Sequence, residues 1–298
     1  MRGFALLMLT LLASTTARNA PPTAYDASLL ASVRSLARAV PGALPIAVGY
    51  LAVQDDSGPA SNAVDGAPHT NLFEVTCAFQ IRYPSGWIMV DAGYGKNVTG
   101  VSGRYYADRY DQIVSALRGA RLIVVTHEHG DHIGTLLDPT VAREVAPKTM
   151  LTRQQVSTLI RNPANGTMLD SAAARRYLVV DYDRALPIAP GVVLIRAPGH
   201  TPGSQMVYVR LASGRELLLV GDVVWRMLAI EMLRQKPEST SAQMGEDRAL
   251  LGQQLVWLKT VVAPAGVTIV VSHDGTELES LSKRGILASG LDLGRAAN

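Results

Sequence analysis

The chain has 298 residues, 48% of them apolar and 18% charged, which suits one large domain or two small ones and excludes long disordered stretches. The formal net charge is only +3 and no run of five Lys or Arg occurs, so neither a nucleic-acid nor an anionic-lipid surface is indicated. The single cysteine, Cys77, excludes an internal disulfide and reads as a small buried hydrophobe.

Residues 1–17 read as a secretory signal. Arg2 supplies the positive start, residues 4–13 form an apolar run too short to span a bilayer, and Thr15 and Ala17 are small enough to precede a cleavage point. That leaves residues 18–298 as the working domain, exported to the periplasm or the medium, with no stable membrane insertion after signal removal. Leu29, Val33, Leu36 and Val40 fall at helical spacing, and Pro41 and Pro45 are expected to end that helix. Residues 54–71, rich in Gly, Pro, Ser, Asp and Asn, read as a loop. Strands are expected at 73–83 and 87–90, the second ending at Asp91-Ala92-Gly93. Tyr106, Tyr110, Ile113 and Leu117 mark an amphipathic helix, and residues 122–125 a buried strand. Further strands are expected at 192–195, 205–211, 216–220 and 268–271, with a helix over 246–262.

The segment after the 122–125 strand is His127-Glu128-His129-Gly130-Asp131-His132. Three imidazoles and two carboxylates within six residues are costly to bury without a ligand to satisfy them. If the strand continued, His127, His129 and Asp131 would share one face, and Gly130 would let the chain turn His132 back towards Asp131. Three more chemistry-bearing residues also follow apolar strands: His200 in Pro-Gly-His-Thr-Pro-Gly, Asp222 in Gly-Asp, and His273 after the last strand. His69 lies in a polar stretch and reads as a surface residue.

In this set and order, the motifs resemble the metallo-β-lactamase superfamily. The resemblance implies an α/β fold, a four-layer αββα sandwich with metals at one edge of the sheets. It implies that His127, His129 and His200 hold one metal, that Asp131, His132 and His273 hold a second, and that Asp222 bridges them. Imidazole and carboxylate suit two zinc ions, with iron or manganese also accepted. Such a metal lowers the pKa of water from about 15.7 to about 7, giving a hydroxide that attacks a carbonyl carbon. Asp131 is then expected to orient that nucleophile as well as to hold a metal. Asp91 is expected to support the ligand loops or a turn, and Glu128 to lie behind the ligands or at the surface.

The substrate expected is a small molecule, a lactone or other carboxylic ester. A bridging acid at Asp222 resembles the lactonases, although these often carry Tyr three residues later, where this chain has Trp225. The export signal and Pro-Gly-His-Thr-Pro-Gly-Ser resemble secreted β-lactamases with an all-His first site. A mononuclear iron persulfide dioxygenase would keep much of the same signature. Residues 54–71 and 234–245 are candidate covers of the site, and the apolar stretch 223–233 reads as core or as the wall of an acyl pocket.

Overall fold

The computed structural model describes residues 25–96, 98, 102–162 and 169–294; the expected signal segment lies outside these. The strands are β1 (Ala47–Pro59), β2 (Asn71–Arg82), β3 (Trp87–Val90), β4 (Arg104–Tyr105), β5 (Leu122–Val124), β6 (Thr149–Thr152), β7 (Leu178–Val180), β8 (Ala185–Ala189), β9 (Val192–Arg196), β10 (Gln205–Arg210), β11 (Glu216–Leu219), β12 (Thr268–Val270) and β13 (Ala288–Ser289). They form two sheets. One has the order β13-β1-β2-β3-β5-β6-β7 with β4 beside β1, and the other the order β12-β11-β10-β9-β8. Three buried apolar cores separate the layers. Residues such as Phe79, Ile81, Leu194 and Val207 fill the space between the sheets. Ile113, Leu117, Ile133 and Leu136 pack helices Ala107–Gly119 and Gly130–Leu137 against the first sheet. Leu29, Val33, Leu255 and Trp257 pack helices Ala27–Leu36 and Arg248–Trp257 against the second. The architecture is the four-layer αββα sandwich.

The strands expected from apolar runs are present within one or two residues of their anticipated ends. The 54–71 stretch is different. Only residues 64–70 of it are irregular: β1 continues to Pro59 and pairs with β2, from Ala47 opposite Arg82 to Pro59 opposite Asn71. A short helix, Ala60–Ala63, then turns the chain. Ladder pairing with an adjacent strand outweighs weak local preferences, because β propensity depends chiefly on the neighbours a strand meets. The first helix ends at Leu36, four residues short of Val40. The last long helix begins at Arg248, not at 246, because the Asp247 side chain accepts from the amides of Ala249 and Leu250 and caps it. Residues 234–245 are not a plain loop either; they contain helix Glu238–Met244. Among the described residues, no helix is long and apolar enough to cross a membrane.

Gln155 joins the two halves where the site lies. It completes a capping box with Thr152 at the start of helix Arg153–Arg161. Its fully buried amide also donates to the carbonyl of Val125, just past β5, at 2.9 Å and to that of Gly203, just before β10, at 3.1 Å. Removing it leaves the buried Gly203 carbonyl without that donor, whereas the Val125 carbonyl keeps the Gln205 side-chain amide at 2.7 Å. Gln155→Ala is therefore expected to destabilise the protein by about 1–3 kcal/mol, read as a lower urea midpoint; an unchanged midpoint would show that water replaces the amide.

Candidate metal centre

Each site residue leaves the C-terminal end of a strand at one edge of the sandwich. Asp91 follows β3, His127 to His132 follow β5, His200 lies in the β9–β10 turn, Asp222 follows β11 and His273 follows β12. The β5 strand stops at Val124, and helix Gly130–Leu137 begins inside the motif. His127, His129 and Asp131 are thus not alternate residues of one strand, as the spacing had implied. A loop carries the first two, and the first turn of the helix carries Asp131 and His132.

The seven residues fall into two groups. His127, His129 and His200 bring one side-chain nitrogen each to within 4.8 Å of one another, and Asp131, His132, Asp222 and His273 do the same with one nitrogen or oxygen each. Asp222 stands between the groups. Its Oδ2 lies 3.4 Å from His200 Nε2 and 3.8 Å from His127 Nε2, while Oδ1 lies 3.2 Å from His132 Nε2 and 3.1 Å from His273 Nε2. Asp131 Oδ2 lies 3.4 Å from His132 Nε2 and 3.3 Å from His273 Nε2.

Hydrogen bonds from behind decide which nitrogen faces inward. His132 Nδ1–H donates to Asp91 Oδ2 at 2.8 Å, His200 Nδ1–H to Glu246 Oε1 at 2.6 Å, and His273 Nδ1–H to the Val75 carbonyl at 2.8 Å. Each bond leaves Nε2 for the centre, the arrangement that histidine–metal sites use to fix the tautomer. Asp91 is fully buried and also accepts from the Thr126 amide and hydroxyl, at 2.6 and 2.8 Å. It combines the two roles expected of it: it supports His132 and occupies a turn with φ 59°, a left-handed conformation unusual for a residue with a side chain. Glu128 is buried, not at the surface. It accepts from the Thr201 hydroxyl at 2.7 Å and the Gly203 amide at 3.2 Å, which pins the loop that carries His200.

The donor set fits a pair of divalent cations. His127 Nε2 and Asp222 Oδ1 are buried without a hydrogen-bond partner. His129 Nδ1 and His200 Nε2 face each other at 2.9 Å, as do His132 Nε2 and His273 Nε2 at 3.2 Å. Facing ring nitrogens and buried unpaired acceptors are costly unless a cation lies among them.

The surrounding charges divide the histidines. Burial, reinforced by the charge of His132, holds the pKa of His127 well below its ordinary value. Burial lowers that of His200 to about 4 against the pull of Glu246. Both are neutral ligand-ready rings at pH 7. Burial also pushes His132 and His273 down, but nearby carboxylates outweigh it. Asp131, Asp222 and Asp91 hold His132 well above its ordinary value, and Asp222 and Asp131 raise His273 to about 10. Burial alone would raise Asp131 and Asp222; the His132 and His273 charges prevail and hold both well below the usual carboxylate range.

Several residues here escaped the sequence reading. Glu246 was assigned to a helix, and nothing in its neighbourhood marks it as the partner of His200. Lys236, buried, donates to Glu246 Oε1 at 2.8 Å and to the Asp222 carbonyl at 3.1 Å. Arg226, fully buried, donates to the carbonyls of Phe73 and His273 at 2.6 and 3.3 Å and pairs with Glu74. Its one signal was a charged residue inside the apolar stretch 223–233, since a buried charge must be paired. In that stretch Val223, Val224, Ala229 and Ile230 belong to the core. Trp225 lines the cleft. His69 is exposed, bonded to Ser61 and apart from the cluster. Cys77 is buried, and burial pushes its thiol pKa up, so it is inert.

An open cleft lies over Asp131, His129 and His273, with Val75, Tyr94, Trp225 and Met244 among its walls. Met244 comes from the 234–245 segment proposed above as a cover. From the 54–71 stretch come Gln54 and Asp56, on β1.

The family model of the metallo-beta-lactamase superfamily matches residues 75–273. The chain belongs to that superfamily, and with its His/Asp cluster it is a metallo-hydrolase of it. No curated protein matches the chain. Among solved structures it is similar to a quorum-quenching N-acyl homoserine lactone hydrolase, with TM-score 0.63 and 17% identity over 80% of this chain and 96% of that one. It is similar to a probable metal-dependent hydrolase from Staphylococcus aureus, with TM-score 0.58 and 13% identity over 78% and 91%. A dizinc quorum-quenching lactonase in complex with its product N-hexanoyl-L-homoserine gives TM-score 0.54 and 15% identity over 78% and 90%. At these identities the likeness is one of fold.

In the metal-free protein the carboxylates of Asp222 and Asp131 raise the pKa of His273 to about 10, and nearby carboxylates hold that of His132 well above its ordinary value. Metal uptake at pH 7 is therefore expected to expel protons from both rings, so affinity rises with pH through the neutral range. Calorimetric binding heats should vary with the ionisation enthalpy of the buffer; buffer-independent heats would mean that both rings are already neutral.

Proposed function

We propose that the protein is a dinuclear metal-dependent hydrolase, with zinc as the metal, that opens a lactone or cleaves another uncharged carboxylic ester. The observation that carries this reading is the placement of Asp222, one oxygen facing each group of ligands. In this reading His127, His129 and His200 hold one ion, Asp131, His132 and His273 hold the other, and Asp222 is shared. When bound, the ions supply a hydroxide at neutral pH and a Lewis acid for the oxygen charge that develops at the carbonyl.

The chain's own residues do the rest. Asp91, Glu246 and the Val75 carbonyl keep three rings turned inward, so no reorganisation is needed during turnover. Asp131 keeps 21% of its side chain exposed, against 3% for Asp222. Of these two it is the carboxylate more open to the cleft, and it is placed to orient the nucleophile. Val75, Met244 and Trp225 give the cleft an apolar wall suited to an acyl chain.

Charge favours the ester over the β-lactam. Among the described residues the cleft is lined by Asp56 and Glu74 and by no Lys or Arg. A substrate that carries its own carboxylate, as β-lactams do, finds no Lys or Arg on the cleft walls to pair with, and meets the Asp56 and Glu74 carboxylates there instead. Solved lactonases of the same fold support the choice of a lactone. The export signal expected in residues 1–17 supports a location outside the cytoplasm, where such small molecules are met.

The test is metal content of the purified protein together with hydrolysis of a lactone and of a cephalosporin reporter. About two zinc ions per chain, one for each ligand group, with lactone turnover lost on chelation, are expected. His129→Ala or Asp222→Ala should abolish turnover in a folded protein. Cephalosporin turnover would move the protein to the β-lactamases, and one iron per chain with oxygen consumption would replace hydrolysis by sulfur oxidation.

A further inference from the structure

Trp225 lines the cleft beside His273, their ring centroids 6.4 Å apart. Its one polar atom is already engaged: the indole N–H donates to Asp222 Oδ2 at 2.8 Å. An indole N–H is a donor only and carries no titrating proton, so this bond persists at any working pH. It falls on the oxygen that faces His200 and His127, and leaves Oδ1 to face His132 and His273.

Behind the indole sits a buried cation. Lys236 Nζ lies 4.7 Å from the centre of the Trp225 ring, while it donates to the Asp222 carbonyl and to Glu246. Glu246 in turn accepts from His200. One ammonium thus ties together the backbone of Asp222, the face of the ring that bonds its side chain, and the carboxylate that orients His200. A cation held over an indole face is attracted to it, the more so when desolvated.

A carboxylate turns readily about its last torsion, which is broad and lacks sharp wells. Asp222 can serve two ions only in the orientation that sends one oxygen to each. We propose that Trp225, backed by Lys236, is a positioning residue for Asp222: its N–H holds the carboxylate in the bridging orientation, and the indole serves the metal centre and not the polar groups of the substrate. This rests on the two-metal reading above.

The test compares wild type with Trp225→Phe, which keeps an aromatic ring on the side of Lys236 while removing the N–H together with part of the indole. Both are stripped of metal, reloaded with zinc, and titrated against a chromophoric chelator. The variant is expected to bind at least one of the two ions about 10–100-fold more weakly, the loss that follows removal of a group behind a metal ligand. Its kcat for the lactone should fall with KM little changed, and the melting temperature of its metal-free form should match wild type. Wild-type zinc affinity in the variant overturns the proposal. So does unchanged affinity with a raised KM, which would assign the indole to substrate. Fewer than two zinc ions in the wild type would instead defeat the two-metal reading, before the variants are compared.

Discussion

The structure turns on one carboxylate. Asp222 lies between two sets of imidazoles with an oxygen directed at each, and everything nearby limits how it can move. The turn that presents it is tight. Gly221 has φ 54°, and a side chain there would meet Thr126 Cβ at 2.9 Å, the same Thr126 that bonds Asp91. The carbonyl of Asp222 is held by Lys236 and its side chain by Trp225. A carboxylate that could turn would face only one group of imidazoles, so this rigidity is what keeps an oxygen on each.

The support for the histidines follows a common logic. Each ring has two nitrogens, and a strong acceptor behind one leaves the other for the centre. The acceptors come from separated parts of the chain: Asp91 past β3, Val75 on β2, Glu246 before the helix Arg248–Trp257. Because their charges differ, the rings differ. Burial lowers the pKa of His200 and His127, whereas the carboxylates beside His132 and His273 raise theirs. The surrounding charges thus hold the carboxylates ionised and set the two groups of rings apart.

The fold supplies the edge at which this happens. Strand ends from both sheets meet at one side of the sandwich, and the interface between them is closed by Gln155 and by the bond from the Gln205 amide to the Thr126 carbonyl at 2.8 Å. A rigid platform with its ligands on short connections leaves the longer segments free to shape the cleft. Met244 and Trp225 are supplied in that way, and they give an apolar wall over a polar floor.

The sequence by itself determined the identity of the inward-facing residues and most of the strands. Runs of Val, Leu and Ile mark buried strands because burial on both faces tolerates little else, and the crowding of His127 to His132 is too costly without a ligand to have another reading. The Pro-Gly-His and Gly-Asp turns were legible for the same local reason. Tertiary structure decided what local signals do not carry. It drew residues 54–59 into a strand against their composition, because β2 offered a full ladder. It ended β5 before the motif, so that a helix and not a strand face presents Asp131. It chose Glu246, Lys236 and Arg226, whose partners lie from 10 to more than 150 residues away in the chain. Periodicity and composition are properties of neighbours in sequence. The orientation of a ligand is set by whatever the folded chain places behind it, and that could be read only after the strand ends had met.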